Sequence, residues 1–230
     1  MRVFGSALVG LVLGPLLHTL AVQAGADRSL RPFPWACPRC DHTSFRTRCD
    51  CGRVRTREVA TALVAAAGMG AVATAVEDWA LLVAHLLMVA ATTILVVTDL
   101  DHLRIPNRIL YPATAAAVPL LGLAAGAAGR LADWGRGLLG GVIYLTLFLL
   151  VYLAARGQGF GFGDVKLAFL LGVFAAFHSW QVLARSLFIT AVLGGIPALV
   201  LLARGRSRSS FLPYGPPLIF GTWIAISLFG

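Results

Sequence analysis

Long apolar runs, separated by short loops that carry nearly all of the charge, constrain this chain more than any other feature. They fall at roughly Val3–Ala24, Val59–Val76, Trp79–Val97, Ile109–Ala128, Leu138–Ala155, Val165–Trp180, Val182–Ala203 and Pro216–Phe229. A bilayer helix needs about 20 apolar residues, and a helix satisfies its own backbone in lipid. The pattern predicts an all-α polytopic membrane protein with about eight transmembrane helices and a small Cys-rich cytoplasmic insertion after the first. The sequence is 58% hydrophobic, above the roughly 45–50% apolar share of soluble domains. The sixth run is the weakest, at about 24 Å for its roughly 16 residues. Three divisions follow: residues 1–25 as the first span, 26–57 as the Cys-rich segment, and 58–230 as a seven-helix core.

A formal charge of +9 raises the question of nucleic acid. The basic residues lie in short loops between apolar runs, where they set membrane orientation instead. With eight spans, one face receives Arg28, Arg31, Arg39, Arg46, Arg48, Arg53, Arg55, Arg57, Arg104, Arg108, Arg156, Lys166, Arg204, Arg206 and Arg208, and the other only Arg2, Arg130, Arg136 and Arg185. The richer face is expected to be cytoplasmic. The first run is read as a retained span rather than a cleaved signal peptide, because the arginines that follow it oppose export.

All four cysteines sit in the polar segment, as Cys37-Pro38-Arg39-Cys40 and Cys49-Asp50-Cys51. A segment this short cannot build its own hydrophobic core. Four thiolates could order it around one structural zinc. The alternatives are free thiols or disulfides, and a cytoplasmic position argues against disulfides. The second pair is more tightly spaced than usual, and His42 could replace one ligand.

Two acids stand where apolar sequence resumes or ends. Asp164 closes Gly157-Gln158-Gly159-Phe160-Gly161-Phe162-Gly163-Asp164, and Asp99 closes the third apolar run. Acids at membrane depth are costly and mark functional sites. Two apolar runs separate Asp99 from Asp164, so both are expected at one surface. A close carboxylate pair can share one proton, so that one member polarises a water while the other protonates a carbonyl. Asp101 is about 200° from Asp99 around a helix, so only one of them can face Asp164. Gly159, Gly161 and Gly163 remove side chains beside the acid and let a second backbone approach.

These residues resemble a known family. Asp99 followed by Ile105-Pro106-Asn107, with Gly161-Phe162-Gly163-Asp164-Val165-Lys166-Leu167 downstream, is similar to the type IV prepilin peptidases, membrane aspartic peptidases of the G-x-G-D kind. Val9-Gly10, Leu13 and His18 resemble the family's first-span pattern, with Gly14 and Thr19 where an Asn and an Arg are usual. Cys37–Cys40 resembles its first zinc pair, Glu58–Leu63 its second-span start, and Leu212-Pro213-Tyr214-Gly215-Pro216 its closing motif. The resemblance implies removal of a basic leader from a prepilin or pseudopilin helix at the cytoplasmic face of the inner membrane, with Asp99 and Asp164 catalytic. For many members it also implies methylation of the new N-terminus by S-adenosylmethionine. Two other classes remain to weigh. A transporter would spread ionisable groups through several depths, and a zinc-knuckle scaffold would not need the paired acids.

Overall fold

The computed structural model describes residues 1–25, 53–156, 161–203 and 213–230, with side chains at 1–25, 56–156, 161–196 and 213–230. The described residues form eight α-helices: α1 (Arg2–Gly25), α2 (Arg53–Val72), α3 (Trp79–His102), α4 (Asn107–Ala127), α5 (Leu131–Ala154), α6 (Phe162–His178), α7 (Trp180–Ala203) and α8 (Gly215–Phe229). Among these residues four helices are long and apolar enough to cross a membrane: α1, α3, α4 and α5. This corrects the expectation of about eight transmembrane helices. The apolar runs are all helical, but an apolar run is not always a span. α2 opens on Arg53, Arg55, Arg57 and Glu58, so charge occupies its first turns. It also begins inside the expected polar segment. α6 has 17 residues and α8 has 15. At about 1.5 Å per residue they reach only some 25 and 22 Å. Of α7, the described side chains cover Trp180–Ile196, an apolar stretch.

Small residues decide how the helices pair. A Cβ at Gly10 would meet the backbone of Ala65 at 2.6 Å, so α1 and α2 touch almost main chain to main chain. The same device joins α5 to α6. A Cβ at Gly141 would meet Phe169 O at 2.9 Å, and one at Gly172 would meet Gly140 O, also at 2.9 Å. Close backbone approach of this kind is how helices associate where lipid gives no hydrophobic drive.

α6 is the centre of the molecule. Asp164, Val165, Leu167, Ala168 and every residue from Leu170 to Phe177 are buried. A helix surrounded by other helices need not match the bilayer, which is why it can be short. α5, by contrast, exposes Leu139, Val142, Ile143, Leu150 and Leu153, the apolar face expected of a lipid-facing span.

The two ends of the bundle differ. At one end Asp78 caps α3 by accepting from the amides of Ala80 (2.8 Å) and Leu81 (3.0 Å). Arg2 donates to the Glu77 carbonyl there, and Arg130 lies over the Phe177 ring. At the other end Leu103 stops α3 in the left-handed region (φ 52°), its N–H donating to Asp99 O at 2.8 Å. Pro106 then starts α4. The chain between these two helices is thus a tight corner fixed directly to Asp99.

Candidate active site

The corner at the end of α3, the start of α6 and the end of α1 enclose a cavity of about 380 Å³. Asp99 and Asp164 both line it, with Gly161, Gly163 and Ile105 on its wall. Both acids are buried, at 5% and 4% exposure. The sequence separates them by two apolar runs, yet the fold brings them to one chamber.

Each carboxylate is held by a backbone amide. Gly161 precedes the first turn of α6, and its N–H donates to Asp164 Oδ2 at 3.0 Å. This is the acid half of a capping box, and it follows from an acid three residues after the helix start. Gly215 is the first residue of α8, and its N–H donates to Asp99 Oδ2 at 3.0 Å. Asp99 thereby meets the N-terminal end of a second helix, where a negative charge is favoured. The other oxygen of Asp164, Oδ1, is fully buried without a hydrogen-bond partner. Burial first, and the neighbouring Asp99 carboxylate second, push Asp164 up to about 7, against the pull of the Gly161 amide. Tyr214 is half-buried near Asp164, and its phenol is pushed up by desolvation and then by Asp164.

Asp101 takes no part in the chamber. It turns to Arg57 on α2 at 2.6 Å, as the angle between residues two apart on a helix requires. Lys166, two residues past Asp164, donates to Asn107 Oδ1 at 3.1 Å and lies over the rings of Phe162 and Tyr111. It ties α6 to the start of α4. Gly163 packs against the corner, for a Cβ there would meet Ile105 Cβ at 2.8 Å.

Sequence reasoning did not assign Gly215 any role at the site. A glycine before two prolines signals a helix start, but nothing in the sequence says which acid its amide meets. Gly159 and the four cysteines Cys37, Cys40, Cys49 and Cys51 lie outside the described residues. Among the described residues no group of three or more His, Cys, Asp or Glu side chains could hold a metal ion.

A family model described as the type IV leader peptidase family matches residues 86–199, a stretch that includes both acids. The chain belongs to the type IV leader peptidase family. Among its relatives is a prepilin leader peptidase/N-methyltransferase of Stutzerimonas stutzeri, 32% identical over 133 residues, covering 56% of this chain and 43% of the relative. One of the same description from Aeromonas hydrophila is 31% identical over 175 residues, covering 73% of this chain and 53% of the relative. A third, from Burkholderia pseudomallei, is 38% identical over 87 residues, covering 37% and 27%. The chain thus spans about half the length, or less, of these curated relatives. No solved structure matches it.

Proposed function

We propose that this leader peptidase family member is a membrane aspartic endopeptidase that removes a basic leader from a prepilin or pseudopilin helix at the cytoplasmic face. The observation that carries this reading is one cavity lined by two buried carboxylates, each anchored by a backbone amide on one oxygen. Such a pair resists double ionisation and holds one proton between its members. The ionised member takes a proton from a water as it attacks the scissile carbonyl. The protonated member gives its proton to the carbonyl oxygen. The tetrahedral species then collapses, and the leaving amine takes a proton back from the pair.

The substrate's leader should be basic to stay inside, where anionic headgroups hold it. Relatives named peptidase/N-methyltransferase extend the proposal to a second activity. S-adenosylmethionine, when bound, would supply a methyl group to the new N-terminal amine. The cysteine set would hold zinc structurally, since four thiolates match its donor chemistry.

Transport is the weaker reading, because the two acids meet in one chamber at one end of the bundle rather than forming a ladder through it. The test uses full-length protein in liposomes with a prepilin substrate. Asp99→Asn and Asp164→Asn should each abolish leader removal while protein levels persist, and mass spectrometry of the product reports any added methyl group. Cleavage at the wild-type rate by either variant would remove the peptidase reading.

A further inference from the structure

The two carboxylates are not equivalent. Asp99 Oδ2 accepts from the first amide of α8, at its positive end. Asp99 also lines the chamber, where a water can reach it. Asp164 lines the chamber too and also accepts one amide, but its second oxygen is buried with no donor. A buried carboxylate oxygen that is ionised and unpaired costs several kcal/mol (order of magnitude), whereas a protonated one is neutral and can donate.

Resting on the peptidase reading above, we infer that Gly215 is a positioning residue that fixes Asp99 as the water-activating base and leaves the shared proton on Asp164 as the one given to the substrate carbonyl. Glycine is required at 215 for a specific reason. A Cβ there would lie 2.8 Å from Asp99 Oδ2 and 3.2 Å from Asp99 Cγ. Its three nearest neighbours are all Asp99 side-chain atoms, so a methyl group would displace this carboxylate first.

In the cycle, Asp99 accepts the proton that the water loses as its oxygen bonds to the carbonyl carbon. Asp164 donates its own proton to the carbonyl oxygen as the C=O double bond opens. The pair again holds one proton, now on Asp99, and passes it to the departing amine as the C–N bond breaks. As the C=O double bond re-forms, one hydroxyl of the tetrahedral species gives its proton to Asp164, which restores the pair and leaves the product as a carboxylic acid. Other titratable or charged groups near the pair, among the described residues, are Arg104 on the cavity wall, Tyr214 beside Asp164, and Lys166 engaged with Asn107. Asp101 is held away by Arg57.

The experiment is the pH–rate profile of leader cleavage by full-length protein in nanodiscs. Wild type should give a bell whose acid limb reports Asp99 and whose alkaline limb reports Asp164. Gly215→Ala should lower kcat at least tenfold with KM within about threefold, and should move the acid limb up by about one pH unit while the alkaline limb stays. A shift of the alkaline limb instead would reverse the two roles. An unchanged profile would remove Gly215 from the mechanism. Infrared spectra at pH 6 give a second reading that needs no turnover. The band of a protonated carboxyl should vanish in Asp164→Asn, and its survival there would overturn the assignment. Failure of the peptidase reading is distinct, since it shows as cleavage persisting in both acid-to-amide variants.

Discussion

Gly163→Ala is the most informative single change outside the acids. Gly163 lies in the first turn of α6, where alanine's backbone is unstrained and its helix propensity is about 1 kcal/mol better than glycine's. Propensity alone therefore predicts a more stable protein. Packing predicts the opposite for function. The new Cβ would lie 2.8 Å from Ile105 Cβ and 3.4 Å from Ile105 Cγ1. Ordinary contact begins near 3.4 Å, so Ile105 must move by more than half an ångström. The nearest atom is its Cβ, which no rotamer change can withdraw. The backbone between Leu103 and Pro106 must move instead, and that corner is bonded to the Asp99 carbonyl.

Overpacking of this size costs about 1–3 kcal/mol. Expressed wholly in the transition state, it lowers kcat/KM by about 5- to 150-fold. The assay is leader cleavage in liposomes, with thermal unfolding followed in parallel. Gly163→Ala should lose activity with little loss of melting temperature. Adding Ile105→Gly should restore much of the rate, whereas Ile105→Ala should not, because it keeps the offending Cβ. Processing at the wild-type rate by Gly163→Ala, or equal rescue by both partners, would refute the crowding argument.

Three further outcomes are expected. Asp164 is pushed from 3.8 to about 7 by folding, so the folded state holds its proton more tightly. Stability should fall as pH rises from about 4 to 7, and Asp164→Asn should melt higher than wild type at pH 8 but not at pH 4. An equal gain at both values would contradict the burial cost. Gly172→Ala places a Cβ 2.7 Å from Tyr144 Cβ and 2.9 Å from Gly140 O, so α5 and α6 must part. Denaturant unfolding should show a loss of about 1–3 kcal/mol, and an unperturbed midpoint would mean that this contact is not tight. Metal analysis should find about one zinc per chain, lost in Cys37→Ser; a metal-free wild type would remove the zinc proposal.

Much of this was legible in the sequence because helices and acids leave local signals. The apolar runs gave helices, and Asp99 and Asp164 announced themselves as charges beside apolar stretches. Helical spacing said that only one of Asp99 and Asp101 could face Asp164, and the register of the family motif pointed to Asp99. What stayed hidden depends on neighbours far away in the chain. Whether an apolar helix faces lipid or other helices is a tertiary fact, so α6 and α8 looked like spans until their lengths and surroundings were seen. Gly215 likewise lies 116 positions from the acid that it holds. Its glycine and the prolines after it announce a turn into a helix, but not the carboxylate at the other end of the bond.

The span correction and the location of the site are consequences of one property of α6. A lipid-facing helix must run through the whole hydrocarbon layer, so its ends lie near the membrane surfaces. A helix walled by α5, α7 and α8 is free of that demand, and α6 is the most thoroughly buried of the eight. It is therefore free to begin away from the membrane surface. The ends of α1 and α3 and the Leu103–Pro106 corner rise around its first turn as the walls of the cavity. The first turn of a helix is also where free amides and a favourable dipole meet an acid. A second short helix, α8, begins against the same chamber and supplies the same amide to the other acid. Two short helices thus give what the sequence alone could only suggest: a pocket lined by both acids in a largely apolar bundle, with each carboxylate held on one oxygen by a backbone amide. Lengthening α6 by one turn at its N-terminus would fill that recess with helix, so insertion of residues ahead of Gly161 should harm cleavage more than insertion after His178, at the opposite end of the same helix.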